Sequence, residues 1–209
     1  MAHLTLDRRG STCCSFGASG CDDPYVSPPS ADVSVRVAWA ADALAIAEIQ
    51  VACWQATYDG LLPPDVLAGL PLDAFTEHWE ESIAKPKEAR QRVLVALEQA
   101  AVRGFTTTAP STDGDADPGR DAEVGELVIA ATSRGAGHGS RLLHAAVDTM
   151  RSDRFTRATT WVTSTHDDVR RFLADQGWAP DGAFRELDLN GDGATIVKQV
   201  RLHTDLTGG

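Results

Sequence analysis

The residues best suited to chemistry lie in one stretch. Glu126-Leu127-Val128-Ile129 has the character of a buried strand, and a short spacer separates it from Arg134-Gly135-Ala136-Gly137-His138-Gly139-Ser140. The glycines open directly into an amphipathic pattern carried by Leu142, Leu143, Ala146, Val147 and Met150. Three alternate glycines let the backbone approach a ligand and leave several N–H groups pointing outward at the positive end of a helix dipole. Such a turn takes a phosphate or pyrophosphate; a glycine-rich helix entry with no ligand is the competing reading. No Gly-Lys-Ser/Thr follows, so a Walker loop is excluded, and Ser140 stands where the dinucleotide fingerprint needs its third glycine. Five arginines from Arg134 to Arg157 against Asp148 and Asp153 leave a local balance of +3, which suits an anion. A solvated helix face would explain Arg151, Arg154 and Arg157 equally well.

The elements that must position this loop follow from pattern. The chain has 209 residues and a net charge of −11, enough for one sizeable core and against a general binder of nucleic acid or anionic membrane. No apolar run approaches the roughly 20 residues that span a bilayer, and no secretory signal is visible, so a cytoplasmic protein is expected. Residues 1–32 lack periodicity and read as a disordered leader, leaving one domain over 33–209. Cys13, Cys14 and Cys21 in that leader lack metal-ligand spacing and read as reduced thiols; no metal site is expected.

Val33 to Trp39 alternates as a strand. Asp42 is placed to cap a helix whose apolar positions are Ala43, Leu44, Ala47, Val51, Trp54 and Tyr58. Pro63-Pro64-Asp65 starts a second, short helix, and Leu72 to Ile83 a third. Strands follow at Val93–Leu97, Val102–Thr107 and Val124–Ala130, with an Asp-rich loop from Pro110 to Asp121 between the last two. Gly139–Met150 is helical, Arg157–Thr163 a strand and Thr165–Gln176 a helix with Ser or Thr three residues before Asp at its start (Ser164 before Asp167, Thr165 before Asp168). Phe184–Leu189 and Ala194–Leu202 flank Asn190-Gly191-Asp192-Gly193, a hairpin turn. This order predicts an α/β domain of the α+β type: a mixed, largely antiparallel sheet flanked by helices.

Arg-Gly-x-Gly-x-Gly between strand and helix resembles the GNAT acetyltransferase superfamily, and the resemblance extends over Val33 to Leu206. Cys53-Trp54-Gln55-Ala56-Thr57-Tyr58 and Gly60-Leu61-Leu62-Pro63 look like that family's first helices. The resemblance implies an acetyl-CoA-dependent N-acetyltransferase without a metal. Val128 and Ile129 would present backbone groups to the pantetheine arm. Arg134, Gly135, Ala136, Gly137, His138, Gly139 and Ser140 would hold the pyrophosphate, mainly through main-chain N–H groups.

Acetyl transfer to an amine needs a base for the amine and benefits from an acid for the leaving thiolate. The resemblance points to Glu126 as the base, with Glu123 behind it. The family's last motif normally carries a tyrosine acid, but Leu173 occupies that place here and His166 takes that of an asparagine. The proton then comes from Tyr58, from His166 or from water. Trp54, Tyr58 and Trp79 either wall an acceptor pocket or belong to the core. No Cys or Ser has a convincing His partner, so direct transfer to a primary amine (small molecule, protein N-terminus or lysine) is expected. A catalytically weak acyl-CoA-binding regulatory protein is the alternative, motivated by Leu173, and a nucleotide-binding module is a third. The acceptor is unspecified, and a homodimer is left open.

Overall fold

The strand Arg92–Glu98 (β2) sets the architecture, because its run Val93-Leu94-Val95-Ala96-Leu97 is buried throughout. Successive side chains of a strand point to opposite faces, so such a run must be covered on both sides. Val93, Val95 and Leu97 enter one core, while Leu94 and Ala96 enter the other. In this computed structural model residues 33–189, 191, 193 and 195–208 are described.

The remaining strands are Val33–Val37 (β1), Ala101–Pro110 (β3), Asp121–Ile129 (β4), Arg157–Thr163 (β5), Ala179–Asp188 (β6) and Ile196–Asp205 (β7). They form a seven-stranded sheet in the order β1-β2-β3-β4-β5-β7-β6, antiparallel at every contact except β4 with β5. The helices are Ala43–Thr57 (α1), Pro64–Ala68 (α2), Leu72–Ala84 (α3), His138–Ser152 (α4) and Asp167–Asp175 (α5). On one face α4 and α5 bury Leu142, Leu143, Ala146, Met150 and Leu173 against the sheet. On the other, Ala43, Ile46 and Ala47 of α1 and Trp79 of α3 close over Val93, Val95, Phe105 and Val128. The expected mixed, mostly antiparallel sheet flanked by helices is the fold observed.

Several local expectations differ. The buried stripe of α1 is Ala43, Ile46, Ala47 and Gln50, whereas Leu44 is 50% exposed. Alanines surround this helix, so more than one apolar stripe fits its sequence, and packing against the sheet chooses among them. Asp42 holds the N-cap position of α1 as expected, but its side chain makes no capping hydrogen bond there. Its carboxylate accepts from both Arg36 Nη atoms (2.7 and 3.0 Å) and from the Trp39 N–H (2.7 Å), closing the 3₁₀ turn Ala40–Asp42 that ends β1 early. Thr165 does not cap α5, whose N-cap is His166. At the other end Gly177, at φ +83°, accommodates the left-handed turn, and the Trp178 N–H returns to the Leu173 carbonyl, as its pattern predicts. β6 begins five residues before Phe184 and contains Pro180, which an outer strand tolerates. Residues 1–32, with Cys13, Cys14 and Cys21, and Asn190, Asp192, Ala194 and Gly209 lie outside the described residues. Among the described residues no helix is long and apolar enough to cross a membrane.

One glycine is required by close approach alone. Gly104 of β3 lies opposite Ile129 of β4, and a Cβ there would come within 2.5 Å of Ile129 Cδ1 and 2.6 Å of the Val128 carbonyl oxygen. Backbone cannot yield as a flexible side chain does. Gly104→Val is therefore expected to destabilise the fold by about 1–3 kcal/mol, as overpacked cores do, measured by urea unfolding. An unchanged midpoint would show that β3 and β4 can separate without cost.

Candidate active site

The site begins where two strands part. β4 and β5 pair in parallel from Asp121 with Arg157 to Val124 with Thr160, and the ladder ends there. A bulge turns β4 away: Thr106 pairs with Leu127 but Thr108 with Val124, so Gly125 and Glu126 together oppose Thr107. The Thr107 hydroxyl accepts from the Glu126 N–H at 3.1 Å, and a Cβ on Gly125 would lie 2.6 Å from that same oxygen. Beyond the split each strand has lost its partner on one side, so backbone N–H and C=O groups face the gap. Such groups require partners when enclosed, and an extended ligand bearing amides supplies them.

The gap is part of a cavity of about 810 Å³. Its walls include Leu127, Val128 and Ile129 of β4 and Trp161, Val162 and Thr163 of β5. Its floor is the glycine loop. Gly135 and Gly137 both have positive φ, +77° and +81°, and Gly137 is the N-cap of α4. Alternating handedness around Ala136 is the backbone pattern that turns successive N–H groups inward as an anion nest. Arg141 reaches back from α4 and donates to the Ala136 carbonyl at 3.1 Å, which braces the loop. A Cβ at Gly139 would lie 3.5 Å from the Phe172 ring, in ordinary contact with α5. His138 is 2% exposed, lines the cavity, and among the described residues neither ring nitrogen has a hydrogen-bond partner. An orphaned buried imidazole beside a helix N-terminus fits an anionic or hydrogen-bonding ligand.

Eight of the nine residues expected to bind line this cavity: Val128, Ile129, Arg134, Gly135, Gly137, His138, Gly139 and, in the first turn of α4, Ser140; Ser133 lines it as well. Ala136 is exposed and does not line it. The basic-segment expectation is only partly met. Arg134 reaches the cavity, but Arg151 pairs with Asp148 and donates to the Leu206 and Gly208 carbonyls, and Arg157 is bound to Asp181 at 2.6 Å. These two charges serve the scaffold, so the site relies on main-chain dipoles more than on arginines.

Glu126 is half-buried on the face that α1 covers, and its geometry is dictated from a distance. Trp79 Nε1 donates to Gln50 Oε1 at 2.8 Å, which fixes the direction of the Gln50 amide. The Gln50 Nε2 group then donates to both Glu126 oxygens, at 2.7 and 2.9 Å. Burial pushes the Glu126 pKa above the ordinary carboxylate range, and the Gln50 hydrogen bonds offset part of that rise. Tyr58, the C-cap of α1, is half-buried. Burial raises its pKa, and the negative charge of Glu126 and nearby Cys53 add to the effect. The phenol therefore keeps its proton at neutral pH. Neither side chain lines the cavity itself; their chain neighbours Gly125, Leu127 and Thr57 do.

Trp79, expected either as pocket wall or as core, is core and 5% exposed; Trp54 stacks edge-on with Phe75 and Tyr58. Leu173, itself buried, lines the cavity, as does His166 at the start of α5. Sequence reasoning missed Gln50. Its signal was an amide on the stripe Ala43, Ile46, Ala47, and the incorrect helix phase concealed it.

The comparisons agree with this geometry. The sequence pattern of the Acetyltransferase (GNAT) family matches residues 45–178, well over half of the chain. Among solved structures, the GCN5-related N-acetyltransferase of Kribbella flavida superposes with a TM-score of 0.63 at 20% identity, over 85% of this chain and 99% of that one. The putative acetyltransferase yncA of Salmonella typhimurium, solved with acetyl-CoA, gives 0.63 at 17% identity over 85% and 95%. The PaiA N-acetyltransferase of Thermoplasma acidophilum, in complex with coenzyme A, gives 0.63 at 15% over 83% and 98%. No curated protein matches by sequence. With its parted parallel strands, its glycine turn at the head of α4 and a family match spanning both, the chain belongs to the GNAT family of acetyltransferases.

Proposed function

We propose that residues 33–209 form a catalytic domain that moves the acetyl group of acetyl-CoA directly onto a primary amine. The observation that carries this reading is the parting of β4 from β5 above the glycine nest. It offers an unpaired strand edge for two amides and, at its end, N–H groups for a pyrophosphate. When bound, acetyl-CoA supplies the activated thioester; everything else is done by this chain. Val128 and Ile129 hold the extended arm through their backbone. Arg134 to Ser140 hold the diphosphate, with His138 offering a ring nitrogen.

Glu126 accepts the proton of the attacking amine, directly or through water. Its raised pKa makes it a stronger base than an exposed carboxylate, while Gln50 keeps it ionised enough to act. Tyr58 holds a proton at its phenolic oxygen close to Glu126 and takes the acid role that Leu173 cannot fill. Orienting the amine beside the carbonyl contributes much of the rate. Cys53 lines the cavity, but the one hydrogen-bond partner of its sulfur among the described residues is the Thr57 hydroxyl at 3.8 Å, with no histidine, which favours direct transfer over a covalent intermediate.

The test is free-thiol release from acetyl-CoA with a panel of amines. Amine-dependent release with intersecting double-reciprocal lines supports direct transfer. Release no greater than a protein-free blank, with acetyl-CoA still bound, would favour an acyl-CoA-binding regulator instead.

A further inference from the structure

The face of the sheet that carries Glu126 continues past α1 onto β5, β7 and β6, where Glu123, Trp161, Gln199, Arg201 and Arg185 project together. Val124, Val162, Val200 and Leu202 enter the opposite core, so their alternating neighbours must lie on this side. The two arginines here are used very differently. Arg201 is 5% exposed and fully engaged: it donates to Asp113 (2.9 Å), to both oxygens of Asp115 (2.7 and 2.6 Å) and to Asp181 (2.8 Å). These contacts draw the acidic loop onto the sheet, and the Arg201 hydrogen bonds hold the Asp115 carboxyl down at about 2. Asp113 also accepts the Trp161 Nε1–H at 3.2 Å, which fixes the plane of the indole.

Arg185 lies on that fixed indole, its guanidinium carbon 4.4 Å from the ring centroid. Its Nε donates to Gln199 Oε1 at 2.7 Å. Both supports, Trp161 and Gln199, line the cavity that holds the glycine loop. Among the described residues the two Nη groups have no hydrogen bond and no ion pair. Glu123, on the same face, feels the Arg185 charge but forms no ion pair with it within 4.0 Å. A guanidinium stacked on one side, anchored at Nε and open at its fork is preorganised for two parallel hydrogen bonds to a carboxylate.

We propose that Arg185 is the acceptor-recognition residue, and that the acceptor is an amine bearing a carboxylate, of the amino-acid class. The inference rests on the acetyl-transfer reading and names its substrate. The acceptor carboxylate docks on the Arg185 fork over Trp161, and its amine extends along β4, past Glu123, towards Glu126 and Tyr58. A polyamine would meet the open guanidinium with like charge. A doubly charged phosphate would meet Glu123. A zwitterion satisfies both groups.

The experiment titrates the full chain, saturated with coenzyme A, with matched pairs by calorimetry: amino acids from glycine to 6-aminohexanoate, each against its carboxamide. Thiol release from acetyl-CoA is measured on the same pairs. The expected result is that at least one carboxylate member binds about tenfold or more tighter than its amide, as a charge-assisted bidentate contact requires. Arg185→Gln abolishes that preference, and Arg185→Lys restores only part of it because a point charge lacks the fork. Equal binding of acids and amides, binding of neither, or a preference that survives Arg185→Gln overturns the proposal. The two readings separate cleanly. Carboxylate preference without thiol release keeps the Arg185 site and removes acetyl transfer, whereas thiol release without preference does the reverse.

Discussion

Replacing Glu126 with glutamine is expected to lower kcat/KM for acetyl transfer by about 10²–10⁴-fold, the usual contribution of a positioned general base. The affinity for acetyl-CoA should stay unchanged, because the Glu126 side chain does not line the cofactor cavity. Glutamine keeps the size of the side chain and a carbonyl acceptor for Gln50 Nε2, so the fold has no reason to change. The pH dependence gives the sign. The ionised carboxylate is the working form, and burial raises its pKa, so activity should fall on acidification at a pH above the ordinary carboxylate range. Glu126→Gln should remove that acid limb. Gln50→Ala should move the limb to still higher pH, since it removes the hydrogen bonds that offset the rise. A profile whose acid limb is the same in all three proteins would assign the base elsewhere.

The second large effect is expected at Gly137. Its φ of +81° is the left-handed region that side chains adopt at a cost, and a Cβ there would sit 3.1 Å from Arg141 Nη1. That guanidinium braces the loop through the Ala136 carbonyl, so displacing it loosens the nest. An aspartate at this position also places a carboxylate against a diphosphate. At an effective dielectric of about 20, two unit charges about 4 Å apart repel by about 4 kcal/mol, and solvent at an open loop reduces this. Gly137→Asp should therefore weaken acetyl-CoA binding by roughly 100-fold while thermal melting stays near that of the parent. Gly135→Ala is the informative comparison. Nothing lies within 4 Å of its Cβ, so only backbone strain acts there and the loss should be smaller. Equal losses at both positions would mean that strain alone accounts for the effect.

What was legible in the sequence was local. The glycine turn announces itself because strand, glycines and amphipathic helix are contiguous, and α4 follows directly from Leu142, Leu143, Ala146 and Met150. The unbroken apolar run of β2 reads as a strand covered on both faces. What was not legible depends on register and on distance in the chain. The opening between β4 and β5 follows from a bulge at Gly125 and Glu126, and no composition distinguishes a strand that pairs for four residues from one that pairs for nine. Trp79, Gln50 and Glu126 meet across 29 and 76 residues of chain. Local charge was misleading for the same reason: Arg157, in the basic segment that follows the glycine loop, is paired with Asp181 from β6, and Asp113 and Asp115 of the Asp-rich loop are paired with Arg201 from β7. Arg185 drew no attention in a strand whose outer side is polar, and only the indole beneath it and the open fork above it mark it out.

On the proposed reading, the parted strands and the glycine nest form one continuous binding site. The most direct measurement is a calorimetric titration of the protein with acetyl-CoA beside ATP and NAD, which offer phosphates to the nest but no arm for the strand edge. The expected result is stoichiometric binding of acetyl-CoA, at least about tenfold tighter than either nucleotide. Equal affinity for all three would contradict the claim, because it would leave the opening between β4 and β5 without a part in recognition.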